Sequence, residues 1–295
     1  MVTEKQPAGN AAPSVTSTTT TEAKSDSNGK AAAVVTESQV TNAVNMAVEV
    51  ATQKEVNTQT EVVIKVIAPN DSKSVELSIP EAAFDIISDG KIDAMTVLTP
   101  IAAITFDDKA LSAISKGAEG DVKITTSRID AAATNLSKED KERIGDRPVF
   151  NFSVTNGGNT ISEFGGNVTV SVPYTPKKRE DMAAIIIYYI NAKGKLEIVH
   201  DCVYDAASKT IIFNTDHFSI YAVGYNKVSF TDVPAGAWYS KAVSFIAARG
   251  ITTGTGNGRF SPQAKLTRGQ FIVMVMRAYS KESHDAVCRD RYHQW

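Results

Sequence analysis

Five residues in the second half of the chain have the chemistry of a nucleophilic site: His200 and Asp201, then Asp216, His217 and Ser219. A serine hydrolase needs a base within hydrogen-bond reach of an exposed nucleophile, with an oxyanion hole beside it. Ser219 lies two residues from His217 on an expected strand, and no Gly-x-Ser-x-Gly elbow is present. A period of two puts both side chains on one sheet face with no hole, so these residues read as structural hydrogen-bonders. The adjacent acids Asp107-Asp108 and Glu180-Asp181 could serve glycosidase chemistry, but adjacency fixes no separation across a cleft. His284, Cys288 and His293 fall one ligand short of a zinc site. The glycines of Gly254-Thr255-Gly256-Asn257-Gly258 have neither GxGxxG spacing after a strand nor the Gly-Lys-Ser/Thr of a P-loop. Lys177-Lys178-Arg179 is followed at once by acids, so nucleic acid is not an expected partner. The chain therefore reads as a non-enzyme with no metal or cofactor.

The 295 residues carry a formal charge of −2, from 31 Lys and Arg against 33 Asp and Glu, with 42% hydrophobic residues. That length suits about two domains, and the balance is too even for a general polyanion binder. The longest apolar run, 182–190, is far shorter than the roughly 20 residues that cross a bilayer, so no membrane insertion is expected and the run reads as a buried strand. Two cysteines, Cys202 and Cys288, are too few for a disulfide scaffold. No basic and apolar leader follows Met1, so a surface location would make the chain a fragment or a mature form.

Residues 1–33 are rich in Thr, Ser, Ala and Gly, include the run Thr18 to Thr21, and show no period of 2 or 3.6. They read as a disordered linker. Residues 34–58 read as helix or linker, with Val40, Val44, Val48 and Ala51 at helical spacing. From 59 to 226, short β-branched runs at 62–67, 75–79, 95–98, 102–106, 122–126, 149–154, 167–172, 184–190, 196–200, 210–213 and 219–223 alternate with turn residues. Hairpin spacing of this kind predicts a β-sandwich, divisible into two halves near residue 145, where Ser137 opens a short helical interruption. The fold class is thus mainly β, with a small helical region at 227–279 and an atypical tail at 280–295.

In that helical region Trp238, Ala242, Phe245, Ile246 and Arg249 recur at three-to-four spacing, and Gly250 stands where a left-handed cap would stop the helix. A second helix opens at Thr267-Arg268-Gly269-Gln270, where Thr267 and Gln270 fit a capping box. Its continuation, 271–276, is apolar all round and needs cover.

Phe230-Thr231-Asp232-Val233, Trp238-Tyr239, Gly250-Ile251, Gly254, Asn257-Gly258, Phe260-Ser261-Pro262 and Leu266-Thr267-Arg268-Gly269-Gln270-Phe271 together resemble one S-layer homology repeat. The resemblance implies a surface protein of a Gram-positive cell, held non-covalently on a secondary cell-wall polysaccharide that bears pyruvate ketals. Such a carboxylate can meet the free amides of a helix start, with Arg268 adding a charge-assisted bond. Thr267 and Gln270 shape that start, Trp238 is a candidate for stacking on a sugar or for core packing, and Gly250 and Gly254 let backbone approach a ligand or make the turn. The family usually has Ala-Glu where Gly269-Gln270 stand, and usually three repeats with grooves between them. A single repeat implies self-association to complete the bundle. The alternative is the non-catalytic C-terminal part of an extracellular polysaccharide-degrading enzyme, with the sandwich as spacer or carbohydrate-binding module.

Overall fold

The computed structural model describes residues 1–5, 13–54, 57–89, 92–116 and 120–279. The chain is mainly strand, ending in two short helices, and it divides into two compact units that interleave along the sequence. Residues 1–133, 148–173 and 214–220 form the first; 134–147, 174–213 and the chain from 221 onward form the second.

The first unit begins with β1 (Val2–Lys5), β2 (Ser14–Glu22), β3 (Lys24–Ser25), β4 (Lys30–Val34) and α1 (Glu37–Thr52). Then come β5 (Gln59–Ile67), β6 (Ser74–Ile79), α2 (Glu81–Asp89), β7 (Ala94–Leu98), β8 (Ala103–Asp107), α3 (Asp108–Lys116) and β9 (Val122–Ile129). After an excursion into the second unit, β10 (Val149–Asn156), β11 (Asn159–Ile161) and β12 (Glu163–Pro173) return to it. One sheet runs β1-β2-β5-β7-β8-β12 and the other β10-β9-β6-β4-β3, with β11 paired to β10.

The disordered linker expected over 1–33 is overturned for its described residues, and residues 6–12 lie outside them. β2 pairs with β5 in parallel and unbroken register from Ser14↔Gln59 to Glu22↔Ile67. Threonine is β-branched, so Thr18 to Thr21 suit a pleated, half-covered surface. Val15, Ser17 and Thr21 turn inward and are buried. Two of these three carry hydroxyls, which is why the strand shows no apolar period of two in the sequence.

The expected hairpin arrangement is also corrected. The pairs β2/β5, β5/β7 and β4/β6 are parallel, and a parallel neighbour requires a crossover connection. Helices lie within those crossovers. α1 sits inside the anticipated helical stretch, opens with a capping box between Thr36 and Gln39, and buries Val40, Ala43, Val44 and Ala47. α2 and α3 are missing from the sequence reading. Each has nine residues and a single buried stripe, Ala83, Phe84 and Ile87 or Ala110, Leu111 and Ile114, too little for periodicity to identify. The core of this unit lies between its sheets: Phe106 and Phe164 of one and Phe152 of the other meet through Phe218, at ring separations of 5.8, 4.7 and 5.8 Å.

The second unit contains α4 (Lys138–Ile144), β13 (Ile185–Ile190), β14 (Leu196–Val199), β15 (Cys202–Asp205), the first half of β16 (Thr210–His217), nearly all of β17 (Ile220–Tyr225), α5 (Ser240–Ala248) and α6 (Arg268–Ala278). β13 lies between β14 and β17, and β15 pairs antiparallel with β16 from Cys202↔Phe213 to Asp205↔Thr210. α4 starts where the sequence places it, with Ser137 accepting the Asp140 amide. It does not separate two halves, because β10 pairs back onto β9 over eight residues, from Val149↔Ile129 to Asn156↔Val122.

A chain starting at residue 35 lacks β1 to β4, so β5 keeps only β7 and β6 keeps only β9 of their two strand partners. It is expected to aggregate or to melt more than about 10 °C lower by circular dichroism, whereas a dispensable linker would leave Tm unchanged.

Candidate functional site

The C-terminal region is built from local devices. Asp232 accepts the backbone amides of Phe260 and Ser261, both at 2.8 Å, and lies 3.5 Å from the Arg259 guanidinium. The Phe260 amide, joined by that of Ser261, holds its carboxyl below the ordinary range against the opposing effect of desolvation. The Phe230 and Phe260 rings pack 5.6 Å apart, and Thr231 donates its amide to the Gly258 carbonyl. The loop between the helices turns tightly: Thr255 and Arg259 bond across Gly256-Asn257-Gly258, whose residues all have positive φ.

Gly250, at φ 68°, ends α5 in a Schellman motif, since its amide bonds the Ala247 carbonyl and the Ile251 amide bonds the Ile246 carbonyl. Gly254 has φ 79°, and a Cβ there would stand 2.3 Å from the Arg259 carbonyl oxygen and 2.6 Å from the Phe230 ring. Both glycines have turn-forming roles in this conformation.

Thr267 Oγ1 accepts the Gln270 amide, and Gln270 Oε1 accepts the Thr267 amide at 2.9 Å, so the expected capping box is formed. Arg268 and Gly269 occupy the first two positions of α6, outside the box. The Arg268 side chain is exposed, and among the described residues no carboxylate pairs with it. Between residues 259 and 279 stand Arg259, Lys265, Arg268 and Arg277, and no Asp or Glu. The helix start thus presents its dipole and a guanidinium within a purely cationic segment, an arrangement suited to anions.

Two expectations about packing are corrected. The inward face of α5 was expected on Trp238, Ala242, Phe245, Ile246 and Arg249; of these Arg249 is buried, and the other buried positions are Val243, Ala247 and Ala248. The helix starts at Ser240, after Trp238, and the small alanines permit close approach. Trp238 is 93% exposed and meets only the edge of Tyr239 as an aromatic neighbour, with rings 5.5 Å apart, so core packing within the described chain is not its role. The other correction concerns α6: no residue of this apolar helix is buried, and Phe271 and Ile272 are 57% and 59% exposed.

Arg249 has an environment that its residue type does not suggest. Its side chain is fully buried, its guanidinium 3.5 Å from the centre of the Phe245 ring, at the residue that caps the C-terminal end of α5.

The residues weighed for catalysis make the following local bonds. His217 Nδ1 lies 2.9 Å from Asp216, and the Ser219 carbonyl accepts the Phe152 amide. His200 Nδ1 bonds the Arg249 carbonyl. Asp107 caps α3 through the Ala110 amide and accepts the Asn167 amide. Burial would raise the Glu180 carboxyl, but the Lys177 amide, the Tyr174 hydroxyl and Arg147 at 2.6 Å keep it below the ordinary range. Tyr174 is pushed up to about 12, by burial first and then by Glu180. Asp181 accepts the Ala183 amide and the Ser244 hydroxyl. Among the described residues no group of three His, Cys, Asp or Glu could hold a metal; His284, Cys288 and His293 lie outside them.

Residues 229–272 match the family profile described as the S-layer homology domain, so the chain is a β-rich protein carrying an S-layer homology domain. The chain is 32% identical over 145 residues to an amylopullulanase of Thermoanaerobacterium thermosulfurigenes, an alignment covering 45% of this chain and 8% of that protein. That stretch is longer than everything from residue 229 onward, so the likeness extends into the strands. It is 37% identical over 59 residues to the outer membrane protein SlpA of Thermus thermophilus, covering 20% of this chain and 6% of that one. The chain thus spans less than a tenth of either relative. No solved structure matches significantly. The domain and the SlpA likeness support a general role in attachment at the cell wall or S-layer, and with it a cell-surface location. No described helix is long and apolar enough to cross a membrane.

Gly254→Ala should open the loop at a cost of about 1–3 kcal/mol. Asp232→Asn isolates the carboxylate. A depressed folded pKa contributes stability above the unfolded value near 3.8, and that contribution is lost as pH falls through the folded value. Melting followed from pH 5 to pH 2 should therefore show a smaller acid-induced fall for Asp232→Asn than for the native chain.

Proposed function

We propose that this chain attaches a surface protein non-covalently to the Gram-positive cell wall by binding a pyruvylated secondary cell-wall polysaccharide, through recognition and not catalysis. The observation that carries the reading is Arg268, exposed at the first turn of α6 in a segment with cations and no carboxylate. A pyruvate ketal places a carboxylate on a sugar ring. Arg268 can take it in a bidentate bond while the first-turn amides of α6 add donors and the helix dipole favours the charge. Trp238, projecting beside Tyr239, offers an apolar face to a sugar ring. Gly250, Gly254, Thr267 and Gln270 set the backbone that presents these groups.

The exposed face of α6 fits self-association, in which repeats from several chains cover Phe271 and Ile272 and bring the grooves together. The amylopullulanase likeness favours a second reading, in which the chain is the non-catalytic C-terminal part of an extracellular polysaccharide-degrading enzyme and the strands form its spacer or carbohydrate-binding module. The two readings agree on attachment and differ in what the strands do.

Retention on purified cell-wall sacculi is expected for the native chain, lost when the secondary polymer is stripped, and reduced at least about tenfold by Arg268→Ala. Retention indifferent to the polymer and to Arg268 would overturn the anchor reading and move binding to the strands. In light scattering after size exclusion, the native chain should give a mass above one chain, and Phe271→Glu with Ile272→Glu should return it to one. A native monomer at all concentrations would remove self-association.

A further inference from the structure

Arg249 and the end of α5 carry an inference that does not depend on the wall polysaccharide. The last carbonyls of a helix have no partner within it and must be satisfied from elsewhere. At the end of α5 each one is taken. The Phe245 carbonyl accepts Arg249 Nη1 at 3.1 Å, and the Ile246 and Ala247 carbonyls accept the amides of Ile251 and Gly250. The Ala248 carbonyl accepts the Asn226 side-chain amide at 2.6 Å, and the Arg249 carbonyl meets the His200 ring. Asn226 directly follows β17 and His200 directly follows β14, so two of the five partners are side chains of the β region.

The Arg249 side chain completes the join. Its guanidinium donates to the carbonyls of Cys202 at 2.6 Å, Ala183 at 2.9 Å and Ile185 at 3.1 Å, with Phe245 stacked beneath. Among the described residues no carboxylate pairs with it, and burial pushes the neighbouring Cys202 thiol up. A buried charge left without a counterion is costly unless its donors are met, and here three strand-side carbonyls meet them. Ser244 adds a bond to Asp181 from one turn earlier.

We infer that Arg249 is a positioning residue that fastens the S-layer homology domain to the strands of the second unit, so that α5 opens only when β13 to β15 open. Residues that follow strands thereby cap the end of α5, where Ala247 and Ala248 are buried. The Gly250 turn follows at once, so the loop at 250–262 and the start of α6 inherit their placement from this joint.

Amide hydrogen exchange on the full chain, without polysaccharide, tests this. In the native protein the amides of α5 should exchange about as slowly as those of β13. Arg249→Met and Arg249→Lys should both speed α5 and the 250–262 loop by about 10- to 100-fold, with β9 and β10 unchanged. Lysine keeps the charge but cannot reach three carbonyls with a planar fork, so failure of lysine to rescue separates this role from simple charge. If neither variant accumulates as folded protein, Asn226→Ala and His200→Ala each remove one cap and should each speed α5 by about tenfold. The inference is overturned if native α5 exchanges more than about a hundredfold faster than β13, if Arg249→Lys restores native protection, or if folded variants leave α5 unchanged. A failure to bind sacculi would leave this measurement untouched.

Discussion

A guanidinium with no exposed surface, bonded to carbonyls of Ala183, Ile185, Cys202 and Phe245, makes the C-terminal helices an extension of the strands. Desolvating an arginine costs several kcal/mol, and the cost is offset only where hydrogen bonds meet most of its donors. Those acceptors must already be held in place, so β13, β15 and the turn at 182–184 have to form around it. The same requirement orders the sequence of dependence further out: the helix end sets Gly250, Gly250 sets the loop, and the loop, tied to Asp232, sets the start of α6.

This arrangement separates two kinds of surface within one small domain. α5 buries small residues, Ala247 and Ala248, and every carbonyl at its end is taken. α6 buries nothing and carries cations without acids, together with an exposed apolar face. The contrast follows from their chemistry, because alanines allow close approach to a sheet, whereas a ring of Phe, Ile, Val and Met needs cover on more than one side. The exposed arginine of α6 is suited to an anionic ligand; the buried arginine of α5 is suited to a joint. Sharing a residue type and standing at opposite kinds of helix end, they illustrate why charge alone does not assign a role.

The strand region shows a similar economy of polar groups. Its sheets enclose a phenylalanine cluster, while its acids have local partners: Asp107 caps a helix, Glu180 pairs with Arg147, and Asp181 holds a turn and Ser244. Likeness to an amylopullulanase across part of these strands gives them relatives among proteins named for an enzyme, on a piece covering 8% of that protein.

Much of the C-terminal domain was legible from sequence, because caps and tight turns are chemistry between neighbours. The Thr267 and Gln270 box and the left-handed stop at Gly250 need only residues a few positions apart. Apolar strands such as β5 and β13 announced themselves in the same local way. Tertiary structure alone decided that the threonines of β2 form a strand, since their half-polar inward face is set by pairing with β5, some 45 residues away. It alone decided that the Arg249 guanidinium meets strand carbonyls, that Trp238 is exposed, and that α5 turns its alanine face inward. Those outcomes depend on which distant surfaces meet, and a spacing of three or four residues carries no information about the partner that will cover it.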